Sequence, residues 1–352
     1  MRRTGFGLSC VLLMTWIPIA GAKSPEAKSA GAIAEGQHLF TQNWSVQNPK
    51  LMGRDGLGPL FNGQSCATCH QQGGLGGSGK AEFNAKTISI ESMHLSARRL
   101  SKEMVYDAVR RFHPGFIRAD GSLSNALPLA HHGGTVAYRK SQEALVAKVP
   151  ALFSDNGGAT NAAEVRAANA TPILYSTKTD FYEATIRARL FQRNTPALFG
   201  AGLIDRVEAR ELRSIEKTQK SHPEISGRLA TLADGRLGRF GWRANSPTLL
   251  DFCDRACAAE LGLETKRIPQ PKDPMVPGYR HPSFDISDAQ IRAMASFVAT
   301  LPAPEREIPT DPERLAKVAR GEQLFATVGC AVCHQPNLSV AKGVYSDLLL
   351  HD

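Results

Sequence analysis

Residues 58–74 read GPLFNGQSCATCHQQGG, and Cys66, Cys69 and His70 within that stretch decide how the rest is read. Two cysteines three positions apart share one side of a helical turn. The histidine that follows directs its ring to the same place. Two thiols on one turn suit the two vinyl groups on one porphyrin edge, and the imidazole suits the iron as a proximal ligand. The stretch therefore reads as a covalent haem attachment site. Residues 326–338, ATVGCAVCHQPNL, repeat the pattern with Cys330, Cys333 and His334. The motifs stand 330 − 69 = 261 positions apart, too far for the paired knuckles of a zinc ribbon. Neither lies in the βαβ setting of a thioredoxin-like CxxC. Two covalently bound haem c groups are expected.

A helix is predicted to lead into each motif, Ala32–Gln42 and Leu315–Ala326, and both carry Gly-x-x-Leu-Phe. Gly36, Leu39 and Phe40 precede Cys66 by 26 to 30 residues; Gly321, Leu324 and Phe325 precede Cys330 by five to nine. The pattern reads as a duplicated haem unit with an insertion in the first copy. The Gly74–Ala81 stretch resembles a P-loop but lacks its Ser/Thr and follows a haem motif instead of a strand, so nucleotide binding is excluded. It reads as a flexible loop beside the haem edge.

The chain has 352 residues and a formal charge of +9. Arg2 and Arg3, an apolar run from Leu8 to Ala20 and a small-x-small site at Ala20–Ala22 have the layout of a signal peptide over residues 1–22. Its removal leaves a charge of 9 − 2 = +7 and no membrane span, and points to the periplasm. Basic pairs such as Arg98-Arg99 have no nucleic-acid recognition motif beside them; they read as a solvated face that suits a small electron-donor or electron-acceptor protein. Of seven cysteines, one leaves with the signal and four serve the motifs. Cys253 and Cys257 remain, one helical turn apart in SPTLLDFCDRACAAELGL, either as a disulfide or as two buried thiols.

Between the motifs, helices are predicted at Ser96–Phe112, Ala162–Ala168 and Arg206–Lys220, with loops at 114–134, 150–160 and 221–238. A capped helix with an Ile291/Met294/Phe297/Val298/Leu301 stripe is predicted over 287–301, stopped by Pro302. Met294 belongs to that core stripe.

GRDGLGPLFNGQSCATCHQQGG, QRNTPALFGAGLID, GRLGRFGWRANSPTL, RACAAELGL, ISDAQIRAMASFVATLPAPERE and GEQLFATVGCAVCHQPNL together resemble the bacterial di-haem c-type oxidoreductases labelled "predicted thiol oxidoreductase". That family is distantly similar to di-haem cytochrome c peroxidases. The resemblance implies a mainly α fold with long loops and two cytochrome c-like domains, 31–305 and an incomplete one over 306–352. YSDLLLHD resembles a family segment that continues into further chain, so the sequence reads as C-terminally truncated. The resemblance also implies electron transfer, with peroxide reduction as the enzymatic option, and Trp242 as a bridge between haems or a packing residue. Candidates for the distal side of the first haem are His131, His132, His94, His113, Met93, Met104 or an open position. His351 is the local candidate at the second, and Glu183 and Gln192 are candidate acid/base groups.

Overall fold

The structure is a computed structural model. It describes residues 29–45, 56–58, 61–117, 121–124, 126–128, 143–144, 147, 172–222, 224–225, 227–269 and 283–351. The signal peptide, the Ala162–Ala168 helix, the 150–160 loop and the His131–His132 pair lie outside the described residues.

In chain order the elements are α1 (Ala30–Thr41), α2 (Cys66–Cys69), β1 (Ala85–Ala97), α3 (Lys102–Phe112), β2 (Ala126–Pro128), β3 (Pro172–Lys178) and β4 (Tyr182–Arg193). Then come α4 (Ala201–Asp205), α5 (Ala209–Gln219), α6 (Leu249–Glu260), α7 (Asp288–Thr300), α8 (Pro312–Thr327), β5 (Asn337–Leu338) and β6 (Ala341–Lys342).

The first core gathers α1, α6 and α7. Gly36 makes it possible: a Cβ there would lie 2.0 Å from the Ala293 carbonyl oxygen, so only glycine lets α1 rest on the α7 backbone. Phe40 then meets Phe297 edge-on at 5.4 Å. Leu39, Trp44, Leu249, Ile291, Met294 and Val298 complete the cluster, and each fully buried side chain of this size contributes about 1.5–3 kcal/mol. α7 is capped by Ser287, as expected, and Gln290 completes a capping box. Met294 is buried in the core, as the stripe predicted.

The expectation of a mainly α molecule is overturned by the insertion, and the fold is mixed α and β. β1 to β4 form an antiparallel sheet in the order β2-β1-β4-β3. Its signal is a period of two. In β4, Tyr182, Ala184, Ile186, Ala188 and Leu190 are buried while Glu183, Thr185 and Arg187 are exposed. That alternation lets a sheet bury one face and wet the other. The buried face receives Val109 and Phe112 of α3 together with Phe116.

The predicted helix at Ser96–Phe112 begins late, because Ser96 and Ala97 belong to β1, where they pair with Glu183 and Tyr182. Ser101 caps the helix by accepting from the Met104 N–H at 3.4 Å. The Arg206–Lys220 expectation corresponds to α5.

A third cluster joins Val207, Leu212, Ile215 and Leu237 to Leu338 and Ala341. The segment around α5 thus packs on the second motif, so the core crosses the boundary expected at 305/306.

Candidate functional site

The first motif is set by its N-cap. Ser65 is extended and its Oγ accepts from the Thr68 N–H at 3.1 Å, so the chain enters a single helical turn that carries Cys66 and Cys69. The turn closes with the His70 N–H donating to the Cys66 carbonyl at 3.0 Å. The His70 Nδ1 lies 3.1 Å from the Gly77 carbonyl oxygen. A carbonyl only accepts, so Nδ1 carries the proton and Nε2 holds the lone pair.

The glycine-rich stretch exists to make that contact. It is a closed hairpin, with the Gln72 N–H donating to the Ser78 carbonyl at 2.8 Å and the Gly76 N–H to the His70 carbonyl at 3.0 Å. A Cβ on Gly77 would sit 1.8 Å from the Gln72 carbonyl oxygen. The loop read from sequence as flexible is a bonded device that delivers one carbonyl.

Burial holds the His70 imidazole below its ordinary pKa, against the opposing pull of the Gly77 and Pro196 carbonyls. The ring is therefore neutral at pH 7. Burial likewise pushes the Cys66 thiol up to about 12, with Cys69 adding to the shift. It pushes Cys69 up to about 11, with Glu260 adding and the Thr195 hydroxyl opposing. These are protonated thiols in an apolar setting, unlike the thiolates of a redox or zinc site. Burial also raises the Glu260 carboxyl, opposed by Asn62 and Arg193; Asn62 Nδ2 donates to it at 2.6 Å.

The second motif repeats the arrangement. Gly329, left-handed at φ 96°, ends α8 and starts a short 3-10 turn over Cys330–Val332. The His334 N–H donates to the Cys330 carbonyl at 2.9 Å, and its Nδ1 lies 3.2 Å from the Tyr345 carbonyl oxygen. A hairpin again follows the histidine, here β5 and β6. The aromatic of the Gly-x-x-Leu-Phe pattern stands in the same place both times: Phe40 is 6.0 Å from His70 at 49°, and Phe325 is 6.2 Å from His334 at 59°. The sites differ in cover. α8 has no buried residue, and a Cβ on Gly321 would meet nothing within 4 Å.

The residues fit covalent haem. Each site offers two thiols on one turn and a histidine whose second nitrogen is fixed as a donor to iron by a carbonyl behind it.

The described distal candidates for the first haem lie on other elements, whereas His351 stands beside Cys333 of the second motif. His94 is exposed on β1 opposite Thr185, nine residues and about 30 Å of strand from Ala85. His113 is fully buried and its Nδ1 accepts from the Gly115 N–H at 3.1 Å. Met93 and Met104 pack into the layer of α3 and the sheet. Glu183 pairs with Lys178 at the far end of β4, and Gln192 stands opposite Lys86. His351 Nε2 is 2.8 Å from Asp347 Oδ2.

Trp242 is 54% exposed, with the Arg193 guanidinium 4.0 Å from its ring centre, so it is not a buried packing residue. Cys253 and Cys257 are buried thiols on one face of α6, with no disulfide between them. The sequence did not single out Gly77, Tyr345, Glu260 or Gln219. The glycine run was the one visible signal for Gly77; the others contribute through contacts distant in sequence.

Comparison of the chain with family models, curated proteins and solved structures returned no match. Among the described residues no helix is long and apolar enough to cross a membrane.

Proposed function

We propose that this protein is an exported di-haem c-type cytochrome that passes electrons to or from a small partner protein. One observation carries the reading. Two CxxCH turns, far apart in sequence, each have histidine Nδ1 on a downstream carbonyl and a phenylalanine about 6 Å from the ring. Cys66 and Cys69 would hold one haem and Cys330 and Cys333 the other, with His70 and His334 as proximal ligands. When bound, each haem supplies a one-electron couple at its iron.

The chain's own residues do the rest. The Gly77 and Tyr345 carbonyls keep the protons on Nδ1 and fix the ring planes, which makes each imidazole a stronger donor. Phe40 and the α1–α7 core keep water from the His70 side. The resemblance to di-haem oxidoreductases agrees with this reading.

Spectropotentiometry of the exported chain tests the function. Two reversible one-electron transitions are expected, and reduced chain should re-oxidise when mixed with an oxidised small c-type cytochrome. Haem that does not cycle, or that cycles without exchanging electrons with the added protein, would contradict electron transfer as the activity.

A further inference from the structure

The end of the sheet farthest from the first motif carries a patch that electron transfer leaves without a role. The strand register sets it out. Ala97 pairs with Tyr182, so Arg98 follows β1 where Phe181 precedes β4, and two turns stand side by side. Phe181 is 75% exposed in the β3–β4 turn, and Leu100 is 62% exposed between β1 and α3. Both turns are braced. Thr179 Oγ1 accepts from the Phe181 N–H at 3.3 Å and from the Tyr182 N–H at 3.1 Å. Tyr182 is buried and donates to Asp107 of α3, so the turn that carries Phe181 is tied to the helix that starts just after Leu100. A single exposed apolar residue needs no explanation; two bulky ones on braced neighbouring turns do.

The charges around the two turns decide the partner. Arg98, Arg99 and Lys102 are exposed, and among the described residues none of them makes an ion pair. The acidic groups are mostly engaged. Glu183 is taken by Lys178. Glu103 lies in the first turn of α3, where its own N–H and the Ser101 hydroxyl hold its carboxyl below the ordinary value. Asp180 is exposed and remains. The formal balance of this end is 4 − 3 = +1, with three unengaged cations against one unengaged anion. Apolar tips within a basic rim suit an anionic bilayer: the tips enter the headgroup layer and the cations stay at the lipid phosphates. An electron partner fits poorly here. From Tyr182 to Arg193, β4 runs eleven residues, about 36 Å of strand. Its Arg193 end meets the first motif, where the Gly79 N–H donates to the Thr195 carbonyl at 2.9 Å and a Cβ on Gly79 would lie 2.7 Å from the Cys69 carbonyl oxygen. The second motif packs on the cluster around α5. A protein that exchanges electrons must come up to a haem edge, and this patch stands at the opposite end of the sheet from the first.

We propose that Phe181 and Leu100, with Arg98, Arg99 and Lys102 around them, form a docking surface for an anionic phospholipid membrane. The inference goes beyond the electron-transfer reading and does not depend on it. The sheet acts as a spacer that holds the first motif away from the bilayer and leaves it open to a soluble partner. Neither part of the patch is large, so docking is reversible and needs both: the apolar tips for depth and the cations for attraction to anionic headgroups. Salt screens the second part and leaves the first.

The test is co-sedimentation of the exported chain, cleaved after Ala22, with vesicles of mixed phosphatidylglycerol and phosphatidylcholine and with vesicles of phosphatidylcholine alone. The chain should sediment with the anionic vesicles, several-fold less in high salt, and stay in solution with the neutral ones. Phe181→Asp/Leu100→Ser should lower the partition by about tenfold or more, Phe181→Leu should keep it, and Arg98→Glu/Arg99→Glu should lower it. Ile308→Ser alters an apolar side chain that is 67% exposed outside the patch and should bind as the parent does. Every substituted side chain is exposed, so all variants should unfold at the parent's temperature. No binding to anionic vesicles, equal binding to neutral ones, full binding by Phe181→Asp/Leu100→Ser, or an equal loss in Ile308→Ser would overturn the proposal. So would a parent that ignores vesicles and is retained through Phe181 by an immobilised acidic c-type cytochrome, which would make the patch a protein-docking surface.

Discussion

At the scale of single residues, the protein spends its least replaceable positions on presenting carbonyls to histidines. Gly77 is one. An alanine there places its Cβ 1.8 Å from the Gln72 carbonyl oxygen, which forces the hairpin open and costs about 1–3 kcal/mol. With the Gly77 carbonyl withdrawn, His70 becomes a weaker donor and the ferric state loses support. Gly77→Ala should therefore raise the reduction potential of the first haem and leave the second where it was, measured by spectropotentiometry. Tyr345 delivers the matching carbonyl from a left-handed backbone, φ 46°, a conformation unusual for a bulky side chain. Its ring is held edge-on to Phe325 at 6.0 Å. The CxxCH residues were legible in the sequence because their spacing is their chemistry. The carbonyls were not, because any residue type can supply one and only the folded path chooses which.

At the scale of elements, the two helices that share Gly-x-x-Leu-Phe diverge in what they meet. Gly36 is pressed on the α7 backbone, whereas Gly321 faces open space. Thermal unfolding should separate them. Gly36→Ala should destabilise by about 1–3 kcal/mol through overpacking, while Gly321→Ala should stabilise by about 1 kcal/mol through helix propensity. The sheet-bearing insertion has its own lock, Tyr182 Oη donating to Asp107 Oδ2 at 2.7 Å, which ties β4 to α3. The Tyr182 hydroxyl and Arg111 hold the Asp107 carboxyl below its ordinary value of 3.8. A depressed carboxylate stabilises fully above its unfolded pKa, and that contribution is lost as pH falls through the folded one. Stability of the parent should thus lose this contribution only below about pH 4, and Asp107→Asn should flatten that part of the acid-unfolding curve. The helices with strong caps, α7 above all, were readable from sequence. The strands are less legible: β4 alternates cleanly, but its long partner β1 lies far away in sequence, and only that pairing fixes the sheet.

At the scale of the whole molecule, the account rests on recurrence. A histidine, a carbonyl behind it and an aromatic beside it occur twice, built once under a packed helical core and once on a helix with no buried residue. The duplication was legible from two short patterns. The insertion's sheet and the core that joins α5 to the second motif were not, because both depend on pairings across long stretches of chain. The central claim is that each CxxCH turn carries its own covalent haem. The measurement that tests it most directly is denaturing intact mass with pyridine haemochrome absorbance on the exported full chain. The account predicts two haems per chain, falling to one in either the Cys66→Ser/Cys69→Ser or the Cys330→Ser/Cys333→Ser variant. A parent chain without covalent haem, or a haem count that neither variant changes, would contradict it.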